Sequence, residues 1–552
     1  MVRLLLLFTI FHNIIFSEKY DPGQIKYGKR GEKYRLWIFF KDKNESIPIT
    51  LNKKAVERRN KNGFLLEESW YDLSVSNLYK EQISSIGIDI INESRWLNAV
   101  SVLCSFNDLK DLTKFEFVDS IRPVIGYKKN YYDQYNENNS NTVHVDYGYA
   151  QQQIEQINVH LIHELGFTGQ GVRILVMDTG FDLGHNAFNS INVIAQWDFI
   201  NDDNQTANEN DQEETASQDF HGTAVLSTIA ASSPGELMGV AYDAEFLLAK
   251  TEDVTQEIQQ EEDNYVAGLE WGEENGADVV STSLGYLDWY EYSDLDGNTA
   301  VTTIAVDIAV GLGIVCVTAA GNSGNDDWYY IIAPADADSV IAVGAVSESG
   351  EIASFSSHGP TADGRIKPEV CARGRQTWCV NPNSTTSYTQ LSGTSLSCPL
   401  VAGAAALILQ ARPNWSAMEV RESIMMTASM ADSANNTYGY GIVNTLDALS
   451  YFTESNIGYE YNTQPVEFKL MRTYPNPFNP KINIQVMAKA SRKLKIDIFS
   501  YNGSHIETIY QNKIEKGSIH LMWEPASLPS GIYFIRLNDG ISQTLKKITY
   551  LK

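Results

Sequence analysis

Residues 171–182 read GVRILVMDTGFD. The run 171–177 is apolar at nearly every position, with Arg173 its one charge. It lacks the alternation of a strand with one wet face. A strand apolar on both sides belongs inside a sheet covered by helices on both faces, which is how parallel α/β folds are built. Asp178 follows where that strand ends. Open α/β sheets gather ligands and catalytic groups at the carboxyl ends of their strands. Taken alone, an aspartate there is most often a turn residue or a helix cap.

Working outward, the same pattern repeats. Residues 244–250 (AEFLLAK), 278–283 and 313–320 (GIVCVTAA) read as further buried strands, and 224–231 and 267–274 as helices between them. This alternation predicts an α/β domain with a parallel sheet and helices on both faces. Ahead of it lies a smaller α/β unit, with strands at 34–40 (YRLWIFF) and 99–104 and a helix at 75–83. The stretch 128–142 (KKNYYDQYNENNSNT) reads as an exposed linker open to nicking. A second linker covers 454–467. Beyond it, the short runs 482–486, 494–499 and 532–537 are separated by Asn502-Gly503 and by PSG at 529–531, the pattern of a small β-sandwich. The opening residues, MVRLLLLFTIFHNIIFS, have the charge, apolar core and small final residue of a signal peptide. No other segment reads as a membrane span; the apolar run 400–409 is ten residues and fits a core helix.

The 552 residues suffice for roughly three or four domains. The net charge of -27 argues against nucleic acid as a partner. That charge is unevenly spread, at about +4 over 18–129, about -38 over 130–455 and about +6 over 481–552. A basic front unit facing an acidic middle is set up to dock on it. Five cysteines are too few for a disulfide scaffold. Cys371 and Cys379 are close enough in sequence to pair after export, and a pair of free thiols is the equal alternative. The stretch 201–214 (NDDNQTANENDQEE) offers the clustered oxygens that calcium takes, so a structural calcium is one reading. A solvated insertion is the reading its composition favours.

Two further segments join Asp178. Residues 221–225 read HGTAV and open an apolar helix, and 393–399 read GTSLSCP and lead towards VAGAAALIL. Each alone has an ordinary structural explanation. Their order along the chain, Asp, His, Ser, is that of subtilisin. The stretch 145–450 resembles the subtilisin-like serine peptidases. The lead-in at 166–171 (GFTGQG), the turn at 238–244 (MGVAYDA, with Tyr242 where proline is usual) and the strand at 281–285 (STSLG) all look like that family's blocks. So do 319–322 (AAGN), 355–374 (FSSHGPTADGRIKPEVCARG, with His358 where arginine is common) and 438–443 (YGYGIV).

The resemblance implies a role for each residue type. Ser395 is the nucleophile, His221 the general base and then acid, and Asp178 the group that orients the imidazole and stabilises its charged form. Asn322 and the Ser395 backbone N–H would form the oxyanion hole. Ser283, Leu284 and Gly285 would grip an extended substrate as an added strand, which is indifferent to sequence and makes broad specificity the default. Asp326 and Asp327 follow the oxyanion block and read as a solvated acidic loop. His185 and His358 fall outside the triad pattern and read as structural. No catalytic metal or organic cofactor is implied.

The front unit, 18–127, resembles the family's inhibitory prosegment. The tail, 474–552, resembles the C-terminal sorting domain of the type IX secretion system, through 474–480 (YPNPFNP), Tyr501-Asn502-Gly503, 528–537 (LPSGIYFIRL) and 546–552 (KKITYLK). The expected organisation is therefore a signal peptide (1–17), a prosegment (18–127), a peptidase domain (128–455), a linker (456–473) and a sorting domain (474–552). The implied partners are protein substrates, the chain's own prosegment and the secretion machinery, with export to the cell surface or medium. A binding protein built on an inactive peptidase fold is the rival. The presence of Asp178, His221, Asn322 and Ser395 together speaks against it.

Overall fold

The computed structural model describes residues 19–61, 70–124, 145–254, 261–287 and 290–454, and, in the tail, 468–474, 481–488, 491–500, 505–514, 517–525, 528, 531–538 and 543–550. The leader 1–17, the connector 128–142 and all but the first residue of the linker 454–467 lie outside these residues. The chain divides into two compact units, Met1–Ser455 and Asn456–Lys552.

The front part of the first unit has four main strands, β1 (Lys33–Phe40), β2 (Ile90–Ser94), β3 (Ala99–Cys104) and β4 (Val118–Pro123), and helices α1 (Lys53–Lys61), α2 (Asn77–Ser85) and α3 (Phe106–Leu112). All the pairings among its strands are antiparallel. The helix expected at 75–83 starts two residues later because the Ser76 side chain accepts the Tyr79 amide and caps it.

The remainder of the unit is built on seven parallel strands, β5 (Arg173–Asp178), β6 (Asn192–Asp198), β7 (Glu245–Lys250), β8 (Val279–Thr282), β9 (Val315–Ala319), β10 (Ile341–Val346) and β11 (Val370–Arg373). Their order is β11-β10-β9-β8-β5-β7-β6, so β5 lies inside the sheet between β8 and β7. Its residues alternate between two buried faces. Leu175 and Met177 lie under Gly272 and Gly268 of α5 (Glu261–Glu274), whereas Asp178 points to the other side, where α4 (Phe220–Ala230) packs. The helix α6 (Val301–Gly311) packs on α5, and α7 (Thr394–Ala411) packs on α4. Two short strands, β12 (Thr377–Val380) and β13 (Tyr388–Leu391), form a hairpin beside them. Cys371 and Cys379 are both free and buried, and the pairing considered for them is not made. Their thiols turn to different carbonyls, Tyr438 O at 3.5 Å and Thr389 O at 3.6 Å.

The second unit has a three-stranded sheet, β14 (Phe468–Tyr474), β15 (Ile482–Ala488) and β18 (Gly517–Trp523), and a four-stranded one, β16 (Arg492–Ser500), β17 (His505–Ile514), β19 (Gly531–Asn538) and β20 (Gln543–Tyr550). Ile482, Ile484, Val486 and Trp523 from the first share a core with Leu494, Ile496, Ile498, Ile535 and Ile548 from the second. That is the expected sandwich.

The front sheet explains why YRLWIFF lacks alternation. Leu36, Ile38 and Phe40 enter the front unit's own core, while Trp37 packs with Val124 and with Val301 of α6. Arg35, on the Trp37 side, donates to Asp263 of α5 at 2.6 Å, and Ser101 bonds the same carboxylate at 2.5 Å. Further along α5, Glu273 accepts from Arg58 at 2.5 Å, from Arg59 at 3.0 Å and from Arg95 at 3.3 Å. Glu270 accepts the Ser94 hydroxyl at 2.5 Å and the backbone amides of Arg95 and Trp96 at 3.2 Å each. Burial pushes the Glu270 carboxyl up to about 6, against the opposing pull of Arg95 and Ser94. Asp263 and Glu273 are fully buried. Charges removed from water this far are tolerated because each one meets an opposite charge in good geometry. Glu273→Ala removes the carboxylate shared by Arg58, Arg59 and Arg95, of which Arg59 still meets Asp72 at 2.6 Å, and breaking such a buried pair costs about 3–5 kcal/mol. The expected result is a lower thermal midpoint for the full-length, unprocessed chain. Lys53→Ala, which removes an exposed pair with Glu57, is expected to leave the midpoint unmoved.

Candidate active site

The carboxyl edge of the sheet brings together residues that lie far apart in sequence. Asp178 is the last residue of β5 and is fully buried. Its Oδ1 accepts the Thr179 amide at 2.8 Å and meets His221 Nδ1 at 2.5 Å. His221 is the second residue of α4. The helix comes this close because the next residue is glycine: a Cβ on Gly222 would overlap the Gly180 carbonyl and lie 3.0 Å from Asp178 Cβ. The Gly222 amide also donates to Thr179 Oγ1 at 3.3 Å. Gln218 bonds the Thr179 carbonyl at 2.5 Å and the Val254 amide at 2.8 Å, fixing the approach to α4 from the other side.

Ser395 is likewise the second residue of its helix, α7. Leu396 packs on Ala224, one turn beyond His221, so the starts of α4 and α7 meet. The apolar helix expected over 400–409 extends to 18 residues. It is long and apolar enough to cross a membrane, yet 89% of it is buried in the domain core. Pro399 lies inside it and has no N–H to give. The Ser395 carbonyl, four residues earlier, is thereby released from the helix ladder and accepts Ser283 Oγ at 2.8 Å instead. In return Ser395 Oγ donates to the Ser283 carbonyl at 3.4 Å. The missing amide of one proline thus ties α7 to the segment Ser283, Leu284 and Gly285, which leaves β8 after Thr282.

Asn322 stands opposite. Its Oδ1 accepts both the Thr394 amide, at 2.8 Å, and the Thr394 hydroxyl, at 2.9 Å, which fixes the direction of the side-chain NH₂. Thr394 Oγ1 also accepts the Gly321 amide at 3.2 Å. Gly393 marks where these groups converge. A Cβ placed there would lie 3.5 Å from Asn322 Nδ2, 3.6 Å from Ser395 N and 3.7 Å from Ser395 Oγ. Two donors and a hydroxyl therefore face one small volume, at the positive end of an 18-residue helix.

Other residues singled out in the sequence lie elsewhere. Asp326 and Asp327 are exposed, and Asp326 accepts the amide of Trp328 in its own loop. His185 is held between Ser387 O and the Ala187 amide, and His358 stacks on Tyr329 at 4.5 Å. In both, burial pulls the imidazole below its usual range. The acidic stretch 201–214 is folded against β6 and runs into the short helix Asp211–Ala216. Asp198, Asp203 and Glu209 approach one another there. The oxygens of Asp198 already accept the amides of Ile200 and Asn201 and the buried Lys250 ammonium, at 2.8 Å, and Lys250 also meets Glu213 at 2.9 Å. Lysine supplies a positive charge inside this loop. Thr394 and Pro399 were not singled out beforehand, although the signal was available, as both stand within the GTSLSCP block.

Known protein families resemble the chain along most of its length. The subtilase family matches residues 169–441, the peptidase S8 propeptide domain of Bacteroidota matches 35–147, and the secretion system C-terminal sorting domain matches 472–550. The chain is 33% identical to subtilisin E of Bacillus subtilis over 371 residues, covering 66% of this chain and 84% of that protein. It is 36% identical to a subtilisin of Bacillus pumilus over 294 residues, covering 53% and 95%. An alkaline protease of Alkalihalobacillus alcalophilus is 33% identical over 293 residues, covering 53% and 67%. Ordered motifs and extent of identity lead to one conclusion: this chain belongs to the subtilase family of serine peptidases, with a propeptide domain in front and a type IX secretion sorting domain behind.

Proposed function

We propose that Asp178, His221 and Ser395 act as a catalytic triad that hydrolyses internal peptide bonds through an acyl-enzyme. The observation that carries this reading is the convergence of Ser395 Oγ, Ser395 N and Asn322 Nδ2 on one point beside Gly393. A substrate lies along Ser283, Leu284 and Gly285 as an added strand. His221, oriented through Nδ1 by Asp178, takes the Ser395 proton at Nε2 as Oγ bonds to the scissile carbonyl carbon. The carbonyl oxygen becomes an oxyanion held by Asn322 and Ser395 N–H. As the C–N bond breaks, His221 returns the proton to the departing amine. Water then enters by the same route, giving its proton to His221 and its oxygen to the acyl carbon, and Ser395 recovers its proton. None of these steps calls on a cofactor.

The front unit (18–127) serves as the enzyme's inhibitor until it is removed, with activation cleavage in the connector 128–145. Its packing through Trp37 and four arginines supports this role. The tail hands the protein to the type IX machinery for export to the cell surface or medium.

Ser395→Ala is expected to abolish both peptide hydrolysis and covalent labelling by a fluorophosphonate; labelling at the unchanged level would remove Ser395 from this role. Thr394→Val leaves Asn322 without its hydroxyl partner, and a single hydrogen bond of about 1 kcal/mol predicts a fall in kcat of roughly five- to tenfold with little change in KM. Steady-state kinetics on one peptide amide measures both constants. Deletion of 474–552 is expected to leave the protein in the periplasm, as read by immunoblotting of cell fractions; normal export of the truncated chain would refute the role of the tail.

A further inference from the structure

We propose that Ile332 forms the floor of the pocket for the residue that contributes the scissile carbonyl, and that the enzyme therefore selects small side chains at that position. This rests on the triad reading above and names the substrate class it acts on.

The strands β8 and β9 are paired in register up to Thr282 and Thr318. Beyond that point they separate into the segment Ser283, Leu284 and Gly285 on one side and Gly321-Asn322 on the other. A substrate gripped by the first, with its carbonyl oxygen at Asn322, has the adjacent side chain entering the gap between the two. A third stretch of backbone closes that gap. The Ile332 amide donates to Ala320 O at 3.2 Å on one wall, and Ala333 exchanges backbone bonds with Tyr286, at 2.8 and 3.1 Å, on the other. The side chain of Ile332 fills the space between. A Cβ on Gly285 would overlap Ile332 Cδ1, and one on Gly321 would lie 3.1 Å from Cγ1 and 3.3 Å from Cδ1. The same two carbons thus touch both walls, and both walls are glycine at the point of contact. Ile332 is only 7% exposed, and its β-branched side chain, in contact with both walls, is restricted at χ1. A short side chain fits above this floor. A phenylalanine or leucine overpacks it. The exposed Asp326 and Asp327 provide no buried charge that would select a basic residue.

The test uses the mature enzyme and matched peptide amides that differ only in alanine, leucine or phenylalanine before the cleaved bond. Fluorophosphonate titration sets the concentration of competent sites. The expected result is a kcat/KM for alanine at least about tenfold above that for phenylalanine, with Ile332→Gly erasing or inverting the ratio through a gain on phenylalanine. Ile332→Ala repeats the comparison should the glycine variant fail to take the label. Labelled wild-type enzyme that prefers phenylalanine, or a labelled variant with an unchanged ratio, overturns the proposal. Wild-type enzyme that takes no label overturns the triad reading, and this inference with it.

Discussion

A carboxylate buried at the end of an interior strand has to be compensated, and the arrangement around Asp178 follows from that need. The cost of removing the charge from water is met by the Thr179 amide and by His221 Nδ1 at 2.5 Å. The imidazole reaches it only because α4 begins on top of the Asp178 loop, and α4 fits there only because residue 222 has no side chain. A requirement of the sheet core therefore sets the position and orientation of a titratable ring that is itself buried.

The second half of the site depends on a hydrogen bond that α7 cannot make. Pro399 withholds an amide from the Ser395 carbonyl, and Ser283 satisfies it. The helix that carries Ser395 is thereby joined to the segment Ser283, Leu284 and Gly285. Thr394, one residue earlier, orients Asn322 through two bonds. Four consecutive residues, Gly393 to Leu396, thus leave open the space beside Asn322, aim its amide, carry the hydroxyl and dock α7 against α4. Such preorganisation is what electrostatic stabilisation of an oxyanion requires, since donors already in place need not reorganise as charge develops. Loss of the corresponding asparagine costs about 100–1,000-fold in rate in subtilisin, where that magnitude was established.

Much of this was legible in the sequence, and the remainder was not for physical reasons. Buried strands such as 173–178 and 245–250 declare themselves by apolar runs, and His221 and Ser395 by the small residues around them. The uneven charge pointed to a basic front unit docking on an acidic middle, as Arg35, Arg58, Arg59 and Arg95 do on α5. The start of α5 was hidden. Residues 261–264 read EEDN, a polar loop by composition, yet all four are buried. Asp263 is buried because its partner, Arg35, lies 228 positions away. The pocket floor was hidden for the same reason. Nothing local to Ile332 says that it bridges two glycines just past the ends of β8 and β9. The thiols of Cys371 and Cys379 are near in sequence but bond in different directions, which spacing alone does not disclose.

The central claim is that Ser395 and the two oxyanion donors converge on a single reacting carbon. A crystal structure of the enzyme phosphonylated by a fluorophosphonate tests it most directly. The account predicts a P–O bond to Ser395 Oγ, with the phosphonyl oxygen about 2.7–3.1 Å from both Asn322 Nδ2 and Ser395 N. An adduct on any other side chain, or a phosphonyl oxygen turned to solvent away from Asn322, would contradict it.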